Sequence, residues 1–124
     1  MSKTPWTYLD APDMSRLDLA SVLVNDTIGV PYLVGSCLER ADYRDVDIRV
    51  ILTDKDFKRL FGGRLPHPLR HLIEVAITDH YIKATGLRID FQIQRMTTAN
   101  KQYAGRRHPL GIYPHTTSAQ EETQ

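Results

Sequence analysis

Apolar residues along the chain recur with two different spacings, one typical of strands and one typical of helices. In residues 87–94 every second residue is apolar over eight positions, and residues 45–52 alternate in the same way. Because strand side chains point to opposite faces in turn, Asp45, Asp47 and Arg49 share one face of segment 45–52. We therefore predict two strands, each with an apolar face in the core and a polar face directed away from it.

Helical spacing of apolar residues accounts for much of the remaining chain. The predicted helices cover residues 15–27, 54–61, 68–85 and, for one or two turns, 97–104. Ser15 and Asp18 have the spacing of a capping box, which predicts the start of the first helix. The long third helix, with Pro68 in its first turn and Gly86 past its end, is expected to pack across the sheet. A short buried strand is predicted over residues 31–35.

This alternation of helices and strands predicts one α/β or α+β domain. We expect a mixed sheet of three or four strands, with helices packed mainly on one face. The chain has 124 residues, enough for a single core, and the predicted domain covers residues 1–114. Residues 115–124 contain few apolar groups, so a disordered C-terminal tail is expected there.

Composition argues against disulfide-bonded, secreted, membrane-spanning and general nucleic-acid-binding proteins. The lone Cys37 excludes an intramolecular disulfide, and the N-terminus lacks the apolar run of a secretory signal, so we expect a cytoplasmic protein. No stretch approaches the roughly 18 apolar residues of a membrane span. The formal net charge of +1, and the absence of aromatic residues interleaved with basic ones, argue against general nucleic-acid binding. Any contact with a polyanion is therefore expected to be local.

Three aspartates are expected to converge on the polar face of the sheet. Asp45 and Asp47 project from one predicted strand about 7 Å apart, at ~3.3 Å rise per residue, and Asp90 lies on the polar face of the other. Carboxylates directed at one point repel each other unless a cation lies between them. Mg²⁺ suits such a site, because it takes one or two carboxylates together with waters and substrate phosphates.

A phosphate site is predicted next to these acids. Gly35 ends the predicted strand 31–35 and permits close approach of the backbone to an anion, while the hydroxyl of Ser36 adds a hydrogen-bond donor. Asp-x-Asp on a strand is common on solvated sheet faces, so the pattern of acids alone leaves a solvated polar surface as the other interpretation. The Gly-Ser pair upstream and the third acid downstream favour a functional site.

The order of these residues resembles the signature of the DNA polymerase beta-like nucleotidyltransferase superfamily, and the minimal nucleotidyltransferases are nearest in size. That signature is a hydrophobic residue followed by Gly and Ser, a loop, Asp-hydrophobic-Asp, and a third acid on a later strand. The resemblance covers about residues 15–94. The loop between Ser36 and Asp45 has eight residues, shorter than is usual in the family, and the chain has no room for a second, acceptor-presenting domain.

The resemblance implies transfer of NMP from an NTP, expected to be ATP, to a hydroxyl of a protein, an RNA or a small molecule, with release of pyrophosphate. Gly35 and Ser36 would hold the terminal phosphates of the nucleotide. Asp90 would also orient or deprotonate the attacking hydroxyl. Two Mg²⁺ ions, for which Mn²⁺ could substitute, would be coordinated by Asp45, Asp47 and Asp90.

Basic residues and partners leave alternatives open. Arg40 lies in the loop where related proteins carry a basic residue, so the resemblance implies a phosphate contact there. Arg106 and Arg107 could grip a triphosphate, although a solvated basic turn fits them equally well. A partner protein or a homo-oligomer is expected to complete the site. For the whole chain, the alternative is a catalytically inactive nucleotide-binding or protein-interaction module on the same fold.

Overall fold

The computed structural model describes residues 7–62 and 67–112. Its helices are α1 (Ala11–Thr27), α2 (Asp54–Phe61), α3 (Pro68–Thr85) and α4 (Met96–Gln102). Its strands are β1 (Pro31–Val34), β2 (Val46–Leu52), β3 (Ile89–Arg95) and β4 (His108–Pro109), and a 3-10 turn, Gly35–Leu38, follows β1. These elements form a small α+β fold with an open, mixed, four-stranded sheet, which confirms the predicted class.

The topology of the sheet places the ends of three strands in one row. The strand order is β3-β2-β1-β4, with β1 antiparallel to both of its neighbours and β2 parallel to β3. In this register Val34 lies opposite Asp47, and Asp47 lies opposite Asp90. The two aspartate-bearing strands are therefore neighbours, which was the condition for their acids to converge.

The core lies between the apolar face of the sheet and the pair α1 and α3. Leu17 of α1 and Tyr81 of α3 are fully buried, as are Ile48 of β2 and Ile93 of β3. The Tyr81 hydroxyl also shares a hydrogen bond of 2.7 Å with the hydroxyl of Ser21, which ties α3 to α1. Because each buried apolar side chain contributes roughly 1.5–3 kcal/mol, this layer is the main source of stability.

Helix α4 covers part of the opposite face. Ala99 of α4 is fully buried, and the Gln94 amide donates a hydrogen bond of 2.8 Å to the Gln102 side chain. Arg49 and Gln94 occupy the polar face, as the alternation predicts, yet only 3% and 6% of their surfaces are exposed. These two side chains are buried on the polar face because α4 follows β3 directly and folds back over them.

Several element boundaries differ from the predicted ones. Helix α1 begins at Ala11 because the Asp10 carboxylate caps it, accepting a hydrogen bond of 2.8 Å from the Asp13 amide. Ser15 lies inside this helix, so the predicted capping box is wrong. Strand β4, which pairs with β1, was not predicted at all. By contrast, the predicted bounds of α2 and α3 are confirmed, and Gly86 ends α3 in the left-handed conformation with φ 74°.

Helix α3 packs across the sheet, as predicted, through Ile73, Ile77 and Tyr81. Leu72 on the same helix is 63% exposed. None of the helices within the described residues is long and apolar enough to cross a membrane. The predicted disordered tail, residues 115–124, lies outside the described residues.

Candidate active site

The backbone of Gly35 touches the Asp47 side chain. Gly35 follows β1 with φ 81°, a conformation that favours glycine, and a Cβ atom added to it would lie 2.4 Å from Asp47 Oδ2. Any larger residue would therefore displace the carboxylate. The glycine that the sequence marked as a close-approach position is required here by the acid on the neighbouring strand.

Asp47 and Asp90 form a pair across the two parallel strands. Their Cα atoms are register partners on strands that lie about 4.8 Å apart, and both side chains belong to the polar face. Burial raises the pKa of Asp47 above its ordinary value; the positive charge of Arg49 opposes this, and the carboxylates of Asp90 and Asp45 add to it. Among the described residues, none donates a hydrogen bond to the Asp47 carboxylate or pairs with it as an ion.

Asp90 has internal partners. Arg49 Nη2 lies 3.4 Å from Asp90 Oδ2, and the Gln92 amide donates a hydrogen bond of 3.1 Å to Asp90 Oδ1. Arg49 Nη1 donates to the backbone carbonyl of Asp90 at 2.5 Å and to that of Ile48 at 3.0 Å. Arg49 Nη2 also donates to the Tyr103 hydroxyl at 2.9 Å. A fixed positive charge therefore lies beside the acid pair.

Asp45 lies at the rim of this site. It precedes β2, and its carboxylate is 3.3 Å from Arg88 Nε, with both side chains substantially exposed. The structure thus brings Asp47 and Asp90 together and pairs Asp45 with an arginine, although Asp45 still contributes to the raised pKa of Asp47. Across residues 7–62 and 67–112, no group of three or more His, Cys, Asp or Glu side chains is arranged to hold a metal ion.

A Mg²⁺ ion at this site would have two carboxylates as protein ligands, those of Asp47 and Asp90. Mg²⁺ needs only one or two carboxylates when a substrate's phosphates and waters supply the other ligands. Asp47 has no internal hydrogen-bond donor among the described residues, and each Asp90 oxygen retains a lone pair beyond its present contact. These two residues would hold the ion, and Asp45 would have to leave Arg88 to join them.

Ser36 and Arg40 lie in and after the 3-10 turn. The Ser36 carbonyl accepts hydrogen bonds from the amides of Glu39 at 2.9 Å and Arg40 at 2.8 Å, which closes the turn. The Arg40 side chain is largely exposed and pairs with Asp42 at 3.3 Å. Ser36 therefore stands directly after the glycine that touches Asp47, whereas Arg40 is directed to another exposed acid.

Only one of the two predicted arginines near residue 106 reaches the glycine turn. A cavity of about 300 Å³ opens beside Gly35, and its lining includes Glu39, Tyr103 and Arg106. Arg106 also donates a hydrogen bond to the Leu38 carbonyl. Arg107 instead contacts the end of α4, through the side chain of Asn100 and the carbonyl of Tyr103.

Three residues of this region were missed as site residues in the sequence. Arg49 was recognised as part of the polar face, but its role depends on α4 covering it. Tyr103 carries no local signal, because the chain topology alone brings it to Gly35, whereas Glu39 is local in sequence and directly follows the 3-10 turn that begins at Gly35. The distinguishing sequence feature of Arg49 is its spacing of two residues from Asp47, which places both on one face.

Together these features define a small α+β domain with a half-buried acid pair behind a glycine turn and a cavity beside that turn. Comparisons with protein-family models, with curated proteins and with solved structures found no match to this chain.

Proposed function

We propose that this chain is a metal-dependent nucleotidyltransferase that moves an NMP group from an NTP to a hydroxyl acceptor and releases pyrophosphate. The observation that carries the proposal is the row formed by Gly35, Asp47 and Asp90 across three neighbouring strand ends. The glycine turn stands directly against an acid that has no internal donor among the described residues, and a second acid stands beside it. Phosphate and metal sites are expected in contact for this reaction.

The turn and the cavity support the nucleotide's position. Gly35 and Ser36 would receive the terminal phosphates, and Arg106 lines the same cavity and brings positive charge. The cavity of about 300 Å³ is within the range of small-ligand sites and would accept the nucleoside. Glu39, which also lines it, offers a carboxylate to the amino group of a base.

The acid pair supports the chemistry. Mg²⁺ bound by Asp47 and Asp90 would neutralise phosphate charge and polarise the α-phosphorus. The acceptor oxygen would form a bond to that phosphorus, while the bond from phosphorus to the bridging α–β oxygen breaks and pyrophosphate leaves. Asp90 would orient the acceptor hydroxyl and take its proton. Most of the acceleration would come from positioning and charge neutralisation.

The acceptor and the cellular setting belong to the same proposal. We assign ATP as the nucleotide and the cytoplasm as the location, with the acceptor hydroxyl on a partner chain or a second copy. Leu19 and Leu23 of α1 and Leu72 of α3 are each more than half exposed, which supports a protein interaction surface on these helices.

A second candidate function is a nucleotide-binding or protein-interaction module that has lost turnover. The contacts that favour it are the two internal ion pairs, Arg49 with Asp90 and Arg88 with Asp45. Two of the three carboxylates are thereby paired with arginines rather than left to an external cation.

Calorimetric titration with ATP, GTP, CTP and UTP, each with Mg²⁺ and then with EDTA, tests the proposal. We expect metal-dependent binding that is lost in Asp47→Asn and retained in Asp56→Asn, an exposed-helix control whose acid pairs with Arg59. NTP labelled at the α-phosphate then tests for transfer. Binding without transfer would favour the inactive module, and the absence of binding to any NTP would reject both nucleotide functions.

A further inference from the structure

Strand β3 forms one edge of the sheet, because among the described residues only β2 pairs with it. The Arg88 carbonyl, just before β3, accepts a hydrogen bond of 2.8 Å from the Val46 amide. Every second residue from Arg88 onward therefore directs its backbone amide and carbonyl toward β2. The backbone groups of Ile89, Phe91 and Ile93 point the other way, out of the sheet. An outward row of this kind is a template for another strand.

Side chains of α3 close this edge near its end. The Ile93 amide donates a hydrogen bond of 2.8 Å to Glu74 Oε2, and the Ile93 carbonyl accepts one of 3.1 Å from Arg70 Nη1. Arg70 and Glu74 also form an ion pair at 3.5 Å, with most of both side chains buried. Within the described residues, no such contact reaches the outward groups of Ile89 or Phe91. The edge is thus closed at Ile93 and open before it.

A groove of about 430 Å³ runs beside the open part of the edge, between β3 and α3. Its lining includes Phe91 from the strand and Val75 and Ile82 from the helix. The two helix residues are 52% and 43% exposed. A strand added to β3 would lie along this groove and shield both side chains from water, which the hydrophobic effect favours.

The charges next to the open edge are complementary to those of an identical edge. Arg88 and Asp90 lie on the polar face, on either side of Ile89. If a second copy paired antiparallel with Ile89 opposite Ile89, each Arg88 would face Asp90 of the other copy. These are non-hydrogen-bonded positions, where facing side chains come closest. Both side chains are accessible, since that of Arg88 is 73% exposed and that of Asp90 is 42% exposed.

Other antiparallel registers fit less well. Centring the pairing on Asp90 would place two carboxylates directly opposite each other, which is destabilising. Centring it on Phe91 would bring Ile89 opposite Ile93, whose backbone groups are already occupied by side chains of α3. The register centred on Ile89 avoids both conflicts, because it pairs opposite charges and ends before Ile93.

We propose that a second copy of this chain binds at this edge, through antiparallel pairing of the two β3 strands about Ile89, and joins the two four-stranded sheets into one. The Ile89 residues would exchange amide-to-carbonyl hydrogen bonds, and each Phe91 amide would donate to the Leu87 carbonyl of the second copy. Arg88 of one copy would form an ion pair with Asp90 of the other, beside the candidate active site. The inference goes beyond the proposed function and does not rest on it.

Analytical ultracentrifugation across the micromolar range measures this association. The wild-type chain is expected to be dimeric. Arg88→Glu is expected to weaken the dimer roughly tenfold or more, because like charges then face each other at both symmetry-related pairs. Arg88→Lys, which keeps the charge, should dimerise. Asp45→Asn breaks the ion pair of Arg88 within its own chain and should also leave the dimer intact. A monomeric wild-type chain, or a dimer unaffected by Arg88→Glu, would overturn the inference.

Disulfide cross-linking tests the register and does not depend on the folding of Arg88→Glu. Arg88→Cys mixed with Asp90→Cys is expected to cross-link under oxidation by copper–phenanthroline, because Cα atoms at such facing positions lie about 4.5 Å apart. Asp90→Cys mixed with Gln92→Cys, the pair that the register centred on Phe91 would bring together, should not. Cross-linking of this second pair in place of the first would overturn the inference.

The natural cysteine does not compete in this experiment. Cys37 is fully buried, and burial raises its pKa to about 12, so its thiol stays protonated and out of reach of the oxidant. The NTP titration decides the proposed function separately, because it measures nucleotide binding and not association of the chain.

Discussion

The two faces of the sheet are stabilised by different interactions. On one face, α1 and α3 bury apolar side chains such as Leu17 and Ile48, which contact one another without charges. On the other face, α4 covers a charged row in which a buried arginine stands beside half-buried acids. Apolar burial is favourable wherever shapes fit, whereas buried charge is costly unless it is paired. The apolar face therefore explains the stability of the fold, and the charged face holds the candidate active site.

Asp47→Asn is expected to have the largest effect, because it should remove activity while leaving stability nearly unchanged. We expect nucleotidyl transfer to fall on the order of 10³-fold, comparable with removal of a charge-stabilising group in other enzymes. The free energy of unfolding should change little, because a half-buried carboxylate that has no donor among the described residues is replaced by a neutral group of the same shape. Initial rates with α-labelled NTP and urea denaturation measure the two quantities. Unfolding of the variant would place Asp47 among structural residues instead.

On the apolar face we expect the opposite result, a loss of stability with NTP binding kept. Ile48→Ala and Ile93→Ala remove fully buried side chains and are each expected to lower the free energy of unfolding by roughly 2–5 kcal/mol. Affinity for NTP in the folded fraction should be nearly unchanged. Leu23→Ala on the exposed side of α1, where 59% of the side chain is accessible, provides the control and should cost far less. Equal losses in the core and control variants would contradict the burial of this face.

Gly35→Ala distinguishes backbone strain from the contact with Asp47. Alanine at φ 81° is expected to cost on the order of 1 kcal/mol of stability, as at any left-handed position. Gly86→Ala has nearly the same φ, 74°, with no atom within 4 Å of the added Cβ, and should cost about the same. Only Gly35→Ala pushes the Asp47 carboxylate aside, so only this variant should lose Mg²⁺-dependent NTP binding. If both variants lost NTP binding, backbone strain alone would explain the loss.

The apolar face could be predicted further from the sequence than the polar one. Helix α3 and its end at Gly86 follow from local signals, namely apolar spacing, an initial proline and a terminal glycine. The start of α1 was misplaced because Asp10 and Ser15 are both competent caps and sequence spacing does not rank them. The two-residue strand β4 has too few residues to show any alternation.

For the candidate site, the sequence predicted the row but not its counter-ions. Gly35, Asp47 and Asp90 come together because the side-chain period of two puts both acids on one face and the parallel register aligns them. The pairing of Asp45 with Arg88 follows from the same parallel register, which places residue 45 opposite residue 88. The burial of Arg49 depends on α4, whose position is a tertiary property. The metal and nucleotide assignments remain predictions.

The smallest expected effect is a pH dependence that belongs to the polar face alone. Because burial raises the pKa of Asp47 in the folded chain, folding favours its protonated form. The stability contributed by this group is therefore fully present below its unfolded pKa of about 3.9, and is lost as the pH rises through the higher folded value. The pKa of Asp54 is shifted the other way: the hydrogen bond from the Thr97 side chain lowers it, so the stability contributed by Asp54 is lost as the pH falls.

The difference in stability between the wild-type chain and Asp47→Asn isolates the contribution of the Asp47 carboxyl group. Relative to Asp47→Asn, which cannot titrate, the wild-type chain should gain stability as the pH falls from 7 toward 3.5. Urea denaturation of both proteins at several pH values in that range gives the difference directly. A pH-independent difference between wild type and Asp47→Asn would mean that the Asp47 carboxylate is as well solvated in the folded chain as in the unfolded one.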